Sequence, residues 1–503
     1  MHMRTSFRAA VNGAEGALSA RNRGARRIRP RKAALATLAF SGILAATLSA
    51  GCSGDDGKGA VKLDPSNPTT ITVWDYYNGA QQASFDNLVS EFNSTVGKEQ
   101  GIYVKSQTQG SVPELEKAIS SSAAGEVGAA EMPDVFSSYA DTAYDVQKQG
   151  QLVDLTDYFT PDELSNYVPD YLDEGRFDGD SSLYLLPVAK STEVTMLDET
   201  DWEPFAQATG ATIDDLATQE GIAVTAKRYY EYTDALTPDT PGDGKAFYGR
   251  DSLSNYFIIG MKQMGVELLA PGDDGEAEVN ADKDKVRRLW DSYYVPYVCG
   301  YFDAVGKFRS DDVKTGYLLA YTGSTVSAGY FPKQVETETD SHPIDYEVLP
   351  VPIFAGGKNV IVQQGAGMAV TKSDAKREAA AVEFLRWFTQ ADNNVRFGAG
   401  SGYLPVLKEA NRVETFREIA KDAHLEMDSI TDSCITFSLE RMEQAEFFTP
   451  QTFTGGSAVR RVLEHSLADK ITADLADIQQ KTASGASREA VLAKYTSDAA
   501  FES

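Results

Sequence analysis

The chain has 503 residues, 42% apolar and 24% charged, with 41 glycines and 19 prolines, an ordinary globular composition that excludes collagen-like, low-complexity and disordered classes. A formal net charge of −27 makes nucleic acid a poor partner, because affinity for a phosphate backbone needs a basic face. Three cysteines and four histidines are too few for a disulfide framework or a Cys/His zinc site.

Charge is unevenly placed. Residues 1–51 carry nine basic side chains against one acid, Glu15, a balance of +8 that leaves −35 for the remainder. An apolar run from Ala33 to Ala50 follows the basic block and ends at Gly51-Cys52. A positive region, a short apolar region and small terminal residues read as a secretory signal at 1–51. A retained signal anchor is the alternative, although the run is marginal for a span. Residues 52–68 read as a flexible, polar tether.

Order begins at Ile71-Thr72-Val73-Trp74, an apolar β-branched run that predicts a buried strand. After the loop from Asp75 to Gly79, Phe85, Leu88, Val89 and Phe92 recur at helical spacing. A strand at Ile102–Lys105, a helix at Pro113–Ile119 and a strand at Pro133–Phe136 continue the alternation, which argues for βαβ units and a parallel sheet with covered faces. Leu183–Val188 predicts a strand broken by proline; the stretch 200–345 is mixed, with a helix at Lys283–Tyr294 and Gly-rich punctuation around Thr315–Tyr330. Strands follow at Tyr346–Leu349 and Gly367–Val370. Residues 374–390 give the clearest helix, with Ala381, Phe384, Leu385 and Phe388 as its core stripe and Ser373 or Asp374 as N-cap. Helical pattern dominates from 405 to the end, with no internal repeat and no second membrane-length apolar run.

Enzyme signatures are sparse. Gly398-Ala399-Gly400-Ser401-Gly402 lacks the Gly-x-Ser-x-Gly frame of a nucleophile elbow and reads as a turn. His342, His424 and His465 lack ligand spacing and read as surface or satisfied core histidines, so no metal site and no cofactor is assigned. No phosphate-binding Gly-x-x-x-x-Gly-Lys-Ser/Thr loop is present. A glycosidase carboxylate pair stays open among 74 acids. Asp273-Asp274 and Asp311-Asp312 read as solvated loops, and Cys299 and Cys434 as either one bridge or two buried thiols.

Leu48-Ser49-Ala50-Gly51-Cys52 resembles a bacterial lipobox, with its leucine four places before the cysteine where the family has three. That resemblance implies diacylation at Cys52 and attachment to the extracellular face of the cell membrane without spanning it. The body resembles the extracellular solute-binding proteins of bacterial ABC importers, in particular the sugar-binding group that includes maltose-binding protein. The segments that carry the likeness are Ile71–Trp74 with its helix, Met132-Pro133-Asp134-Val135-Phe136, Gly150-Gln151-Leu152-Val153-Asp154-Leu155, Leu186-Pro187, the 378–388 helix and Gly402-Tyr403-Leu404-Pro405-Val406.

The resemblance implies an α/β, periplasmic-binding-protein-like fold of two lobes, each a mostly parallel sheet flanked by helices, joined by two or three hinge crossings. Residues 69–188 plus 363–400 form the N-terminal lobe, and 189–362 plus 401–503 the C-terminal lobe. Ligand sits beyond the carboxyl ends of strands, and the lobes close by hinge motion.

A sugar site wants aromatic rings for the C–H face and planar polar side chains for the hydroxyl rim. The implied contacts are Tyr76, Tyr77 and Asn78 after the first strand; Ser138, Tyr139 and Asp141 after the Pro-Asp strand; and Ser191 and Glu193, with Lys190, after Pro187. Thr325 stands where a Gly-x-Trp motif would place a stacking ring, and Tyr330 is the compensating aromatic. Gln364, Tyr403, Phe453 and Arg460 complete the set. The competing reading of each tyrosine is loop packing, of Asp134 a structural cap, and of Arg386, Arg460 and Arg461 a helix surface. Expected partners are a mono- or oligosaccharide and the transmembrane subunits of an ABC importer, with the membrane reached through the lipid and the receptor a monomer. The rivals are a surface glycoside hydrolase, a polyamine or phosphate-ester receptor of the same fold, and an adhesion module.

Overall fold

The computed structural model describes residues 61–177, 181–272, 277–337, 341–442 and 444–502; the signal segment, Cys52, Asp273 and Asp274 lie outside them. Two sheets organise the chain. The first runs Ile102–Thr108, Thr69–Asp75, Val135–Ser138, Gly367–Val370, Leu186–Pro187 across its width. The second runs Tyr346–Leu349, Glu193–Asp198, Ala320–Ser324, Tyr248–Arg250.

The local patterns produce the elements they predict. Phe85, Leu88, Val89 and Phe92 are the buried face of helix Gly79–Ser94, and its rings meet those of Phe384 and Phe388 from helix Ala375–Phe388 at 5.2–6.3 Å. Asp374 is the N-cap, accepting the Lys376 and Arg377 amides at 3.0 and 3.2 Å. Asp134 is structural: its carboxylate accepts the Thr72 amide at 2.7 Å and pairs with Arg377 at 2.6 Å, joining strand, strand and helix. Gly398–Ser401 closes the helix Ala391–Ser401, with Gly402 as its left-handed cap at φ 80°.

Strand direction departs from the expectation of mostly parallel sheets. In the first sheet two pairings are parallel and two, both made by Gly367–Val370, antiparallel. In the second only Tyr248–Arg250 with Ala320–Ser324 is parallel. In each sheet every strand but one ends at the same edge; the exceptions, Glu193–Asp198 and Gly367–Val370, are the first strands after a crossing from the other sheet. A chain arriving at the edge where its neighbours finish must run against them.

Other segments also differ from the pattern. Within the predicted C-terminal helices, Glu446–Phe448 is a strand, parallel to Val360–Val362. The 283 helix extends to Val298 through a π turn, Trp290–Tyr294, because Pro296 has no N–H to continue the ladder. Asp312 is no solvated loop residue: it is 2% exposed, accepts the Gly306 amide at 2.6 Å and pairs with Arg309 at 3.2 Å. Cys299 and Cys434 are both free and buried. Leu63, in the predicted tether, packs against the first core. The first core lies around the first sheet; the second includes Phe247, Tyr294 and, from the 28-residue helix Gly456–Ala483, Leu467, Ile471 and Ile478. Among the described residues no helix is long and apolar enough to cross a membrane.

Candidate functional site: the seam between the sheets

Three crossings lie side by side where the sheets meet. Ser191 and Gln364 exchange backbone hydrogen bonds at 2.9 and 3.0 Å, and Lys190 and Leu404 at 3.1 and 2.6 Å. The Lys190 ammonium pairs with Glu174 and donates to the Gly365 carbonyl at 3.1 Å. Gly365 has φ +94°, and a Cβ there would stand 2.5 Å from the Ala189 carbonyl; only glycine lets these strands approach so closely.

Register places the loops of both sheets at this seam. In the first sheet Gly367, the start of its strand, faces Ser138 and Pro187, the ends of theirs. Two loops that leave this edge bring Tyr76 and Tyr139 together with Tyr403, which follows the helix Ala391–Ser401. The Tyr76 and Tyr403 hydroxyls are hydrogen-bonded at 3.0 Å, and the Tyr76 and Tyr139 rings are nearly parallel, centroids 6.5 Å apart. Burial raises the Tyr139 phenol to about 12, with Glu116 adding to the shift, so it is a neutral donor and acceptor at physiological pH. Tyr77 turns the other way, into Phe85 and Phe397 at 5.2 Å each, and is 1% exposed. Asp75, at the strand end, is fully buried; burial pushes its carboxyl up to about 7 against the opposing hydrogen bond from the Tyr77 amide.

In the second sheet Glu193 faces Ser324, and Arg250 faces Thr322. Glu193 accepts Arg250 at 2.6 Å and Asn255 at 2.9 Å, and the same Asn255 amide reaches Gln364 at 3.0 Å. This buried network braces the Gln364 crossing against the second sheet. Asp251 follows, its carboxyl pushed up to about 6 by burial. Thr325 is fully buried, with its amide donating to the Thr192 carbonyl at 2.9 Å.

Side chains from the two sides meet across the seam. The Tyr330 hydroxyl donates to Asn78 at 3.2 Å. The first turns of helix Gly456–Ala483 supply Arg460 to Asp141 at 2.8 Å, Ser457 to Thr142 at 3.1 Å and Arg461 to Glu116 at 3.6 Å. Each of these joins residues more than 250 apart in sequence or an acid to an arginine from the far helix, so together they can hold the seam shut or release it.

A family model for bacterial extracellular solute-binding proteins matches residues 87–426. The chain belongs to that family. No curated protein sequence matches this solute-binding protein. Solved structures share its fold. A cyclic alpha-maltosyl-1,6-maltose binding protein from Arthrobacter globiformis is 19% identical, covering 85% of this chain and 96% of its own, with TM-score 0.58. An ABC substrate-binding protein from Listeria monocytogenes in complex with cycloalternan is 17% identical, covering 83% and 100%, with TM-score 0.60. UgpB from Mycobacterium tuberculosis in complex with glycerophosphocholine is 20% identical, covering 80% and 100%, with TM-score 0.55. The solute-binding protein thus has the two-lobed, periplasmic-binding-protein-like fold.

The residues singled out from sequence sort into three places. Tyr76, Asn78, Tyr139, Tyr330, Tyr403, Asp141 and Arg460 stand at the seam, Tyr330 being 51% exposed. Ser138, Ser191, Glu193, Thr325 and Gln364 are at the crossings and sheet edges, where backbone pairing or buried hydrogen bonds occupy them. Tyr77 and Phe453 lie in the two cores, and the buried rings of Tyr76 and Tyr403 belong to the first core as well as to the seam. Sequence reading missed Arg250, Asn255 and Glu116; the signal for the first two is the compact strand–turn–helix Tyr248 to Asn255, with Ser252 as N-cap, inside the stretch whose pattern is mixed.

Proposed function

We propose that this solute-binding protein captures a small carbohydrate in the seam and delivers it to the transmembrane subunits of an ABC importer, doing no chemistry itself. The observation that carries this reading is the joint placement of Tyr76, Tyr139, Tyr403 and Tyr330 beside Asn78 and the Asp141–Arg460 pair. Rings with polar tips and planar charged groups suit the apolar face and hydroxyl rim of a sugar. The named neighbours from Arthrobacter and Listeria, which bind cyclic saccharides, support the same class. The absence of a ring at Thr325 favours a short saccharide over a long one. Binding selects the closed form, and the closed form is what the permease recognises. Three carboxylates at the seam are committed to basic partners, Asp141 to Arg460, Glu193 to Arg250 and Glu174 to Lys190, while Asp75 is fully buried. That commitment favours capture over glycoside hydrolysis, which needs one carboxyl held protonated beside a second left free. A diacylated Cys52 anchors the receptor to the outer face of the membrane.

Calorimetry against a panel of mono- and oligosaccharides tests the ligand class. Saturable binding in the micromolar range is expected, weakened about tenfold or more in Tyr139→Ala by loss of the ring contact; a silent panel refutes the sugar. Cys52→Ala is expected to move the protein from the membrane fraction to the medium, and undiminished membrane retention refutes the anchor.

A further inference from the structure

Away from the seam, Asp198 ends the strand Glu193–Asp198 and caps the helix Glu199–Thr209, accepting the Asp201 amide at 3.1 Å. Its side chain is 1% exposed, and among the described residues no lysine or arginine is ion-paired with it or with Asp201. The basic group that faces them is His342, from the short strand Ser341–Pro343, with its Nε2 3.1 Å from Asp201 Oδ1. One carboxylate oxygen from each aspartate and one imidazole nitrogen lie within 4.8 Å of one another.

We propose that Asp198, Asp201 and His342 form a binding site for a divalent first-row transition ion, with zinc as the representative cation. The donor set is one nitrogen and two carboxylate oxygens, which suits zinc and its neighbours, whereas calcium takes six or more oxygens. Zinc bonds of about 2.0–2.2 Å to such ligands place tetrahedral donors roughly 3.3 Å apart, close to the observed approach of His342 and Asp201. The His342 and Asp201 side chains are 26% and 35% exposed, so the open side can hold water as a further ligand. A cation offsets two adjacent carboxylates, one of them buried, that a single imidazole balances incompletely. The frame is built independently of any ion: the Glu199 amide donates to the Asp345 carbonyl at 2.8 Å and the Asp345 amide to Thr200 Oγ1 at 2.8 Å, fixing the segment after His342 to the helix start. The ion would clamp the strand pair Gln334–Glu336 and Ser341–Pro343 to the second sheet.

The test is calorimetric titration of zinc chloride into the chelator-treated full chain, with thermal unfolding in parallel. One zinc per chain, a zinc-dependent rise in melting temperature, and a loss of affinity of about tenfold or more in both His342→Ala and Asp201→Asn are expected. His424→Ala and His465→Ala should leave the binding unchanged. Asp201→Asn preserves the shape of the side chain, so its metal-free melting should match the parent and separate lost binding from lost folding. No zinc uptake by the parent chain, binding that survives both substitutions at the site, or binding lost equally on changing His424 or His465 overturns the proposal.

Discussion

Asp75 shows how a single buried acid sets a pH dependence. Burial holds its carboxyl near 7 in the folded chain, against an ordinary value of 3.8. The folded state therefore binds this proton more tightly than the unfolded state does. Below pH 4 both states are protonated and Asp75 costs nothing; from about pH 4 to 7 the unfolded chain alone ionises and stability falls, and above 7 the full penalty remains. Asp75→Asn keeps the acceptor for the Tyr77 amide at 3.0 Å and removes the charge. It is expected to stabilise the protein at pH 8 by roughly 2–4 kcal/mol and to change little at pH 4. Urea unfolding at the two pH values checks this, and an equal effect at both contradicts the assignment. At the same scale, Asp141 is 5% exposed and its cation is Arg460. Arg460→Met keeps the stem and removes the charge, so a loss of roughly 1–3 kcal/mol is expected from the stranded carboxylate, read by the same unfolding measurement. Asp75 meets the Tyr77 amide two residues on, but the second partnership is not legible locally: Asp141 and Arg460 stand 319 residues apart.

Among the elements, the crossings are where one backbone position decides most. Gly365→Ala introduces a methyl 2.5 Å from the Ala189 carbonyl at a residue with φ +94°. The strain and the lost pairing of the crossing strands should cost about 2 kcal/mol or more, and restoring the parent melting temperature is not expected from any ligand concentration that saturates the parent. Glycine beside Gln364 is visible in the sequence, but that two other crossings flank it is not. Helices, by contrast, declare themselves. The Phe85, Leu88, Val89, Phe92 stripe and the Asp374 cap are where periodicity and capping place them, because a helix buries a face chosen by its own sequence. Strand direction does not follow from such patterns. Short apolar runs such as Gly367–Val370 read the same whether their neighbours run with or against them, and the crossing that precedes the strand sets the answer.

For the whole molecule, residues 52–503 carry a formal charge of −35, yet the proposed guest is neutral. Affinity for a saccharide should therefore change less than about twofold between 50 and 500 mM salt, since screening acts on charge–charge attraction. A steep salt dependence in calorimetry would point instead to a polyamine or phosphate ester. The contacts across the seam, Asn78 with Tyr330 and Glu116 with Arg461 among them, tie its two sides together. Combining Arg460→Ala with Arg461→Ala removes two of these ties and is expected to enlarge the radius of gyration in solution scattering, with saturating ligand drawing it back. An unchanged scattering curve would show that the hinge alone holds the lobes together.

The sequence by itself determined the α/β class, the principal helices and strands around the first sheet, and the tyrosine-bearing loops that follow its strands. These are short-range matters: burial of a face, capping of an end and the turn after a strand are written within a dozen residues. The tertiary structure decided which strands reverse, that Glu193 is bound to Arg250 and Asn255, that Tyr77 and Phe453 pack inward, and that His342 comes to rest beside Asp198 and Asp201. Those outcomes depend on which loops share an edge after the chain has crossed the hinge, and side chains from distant segments meet there with no spacing along the chain to announce it.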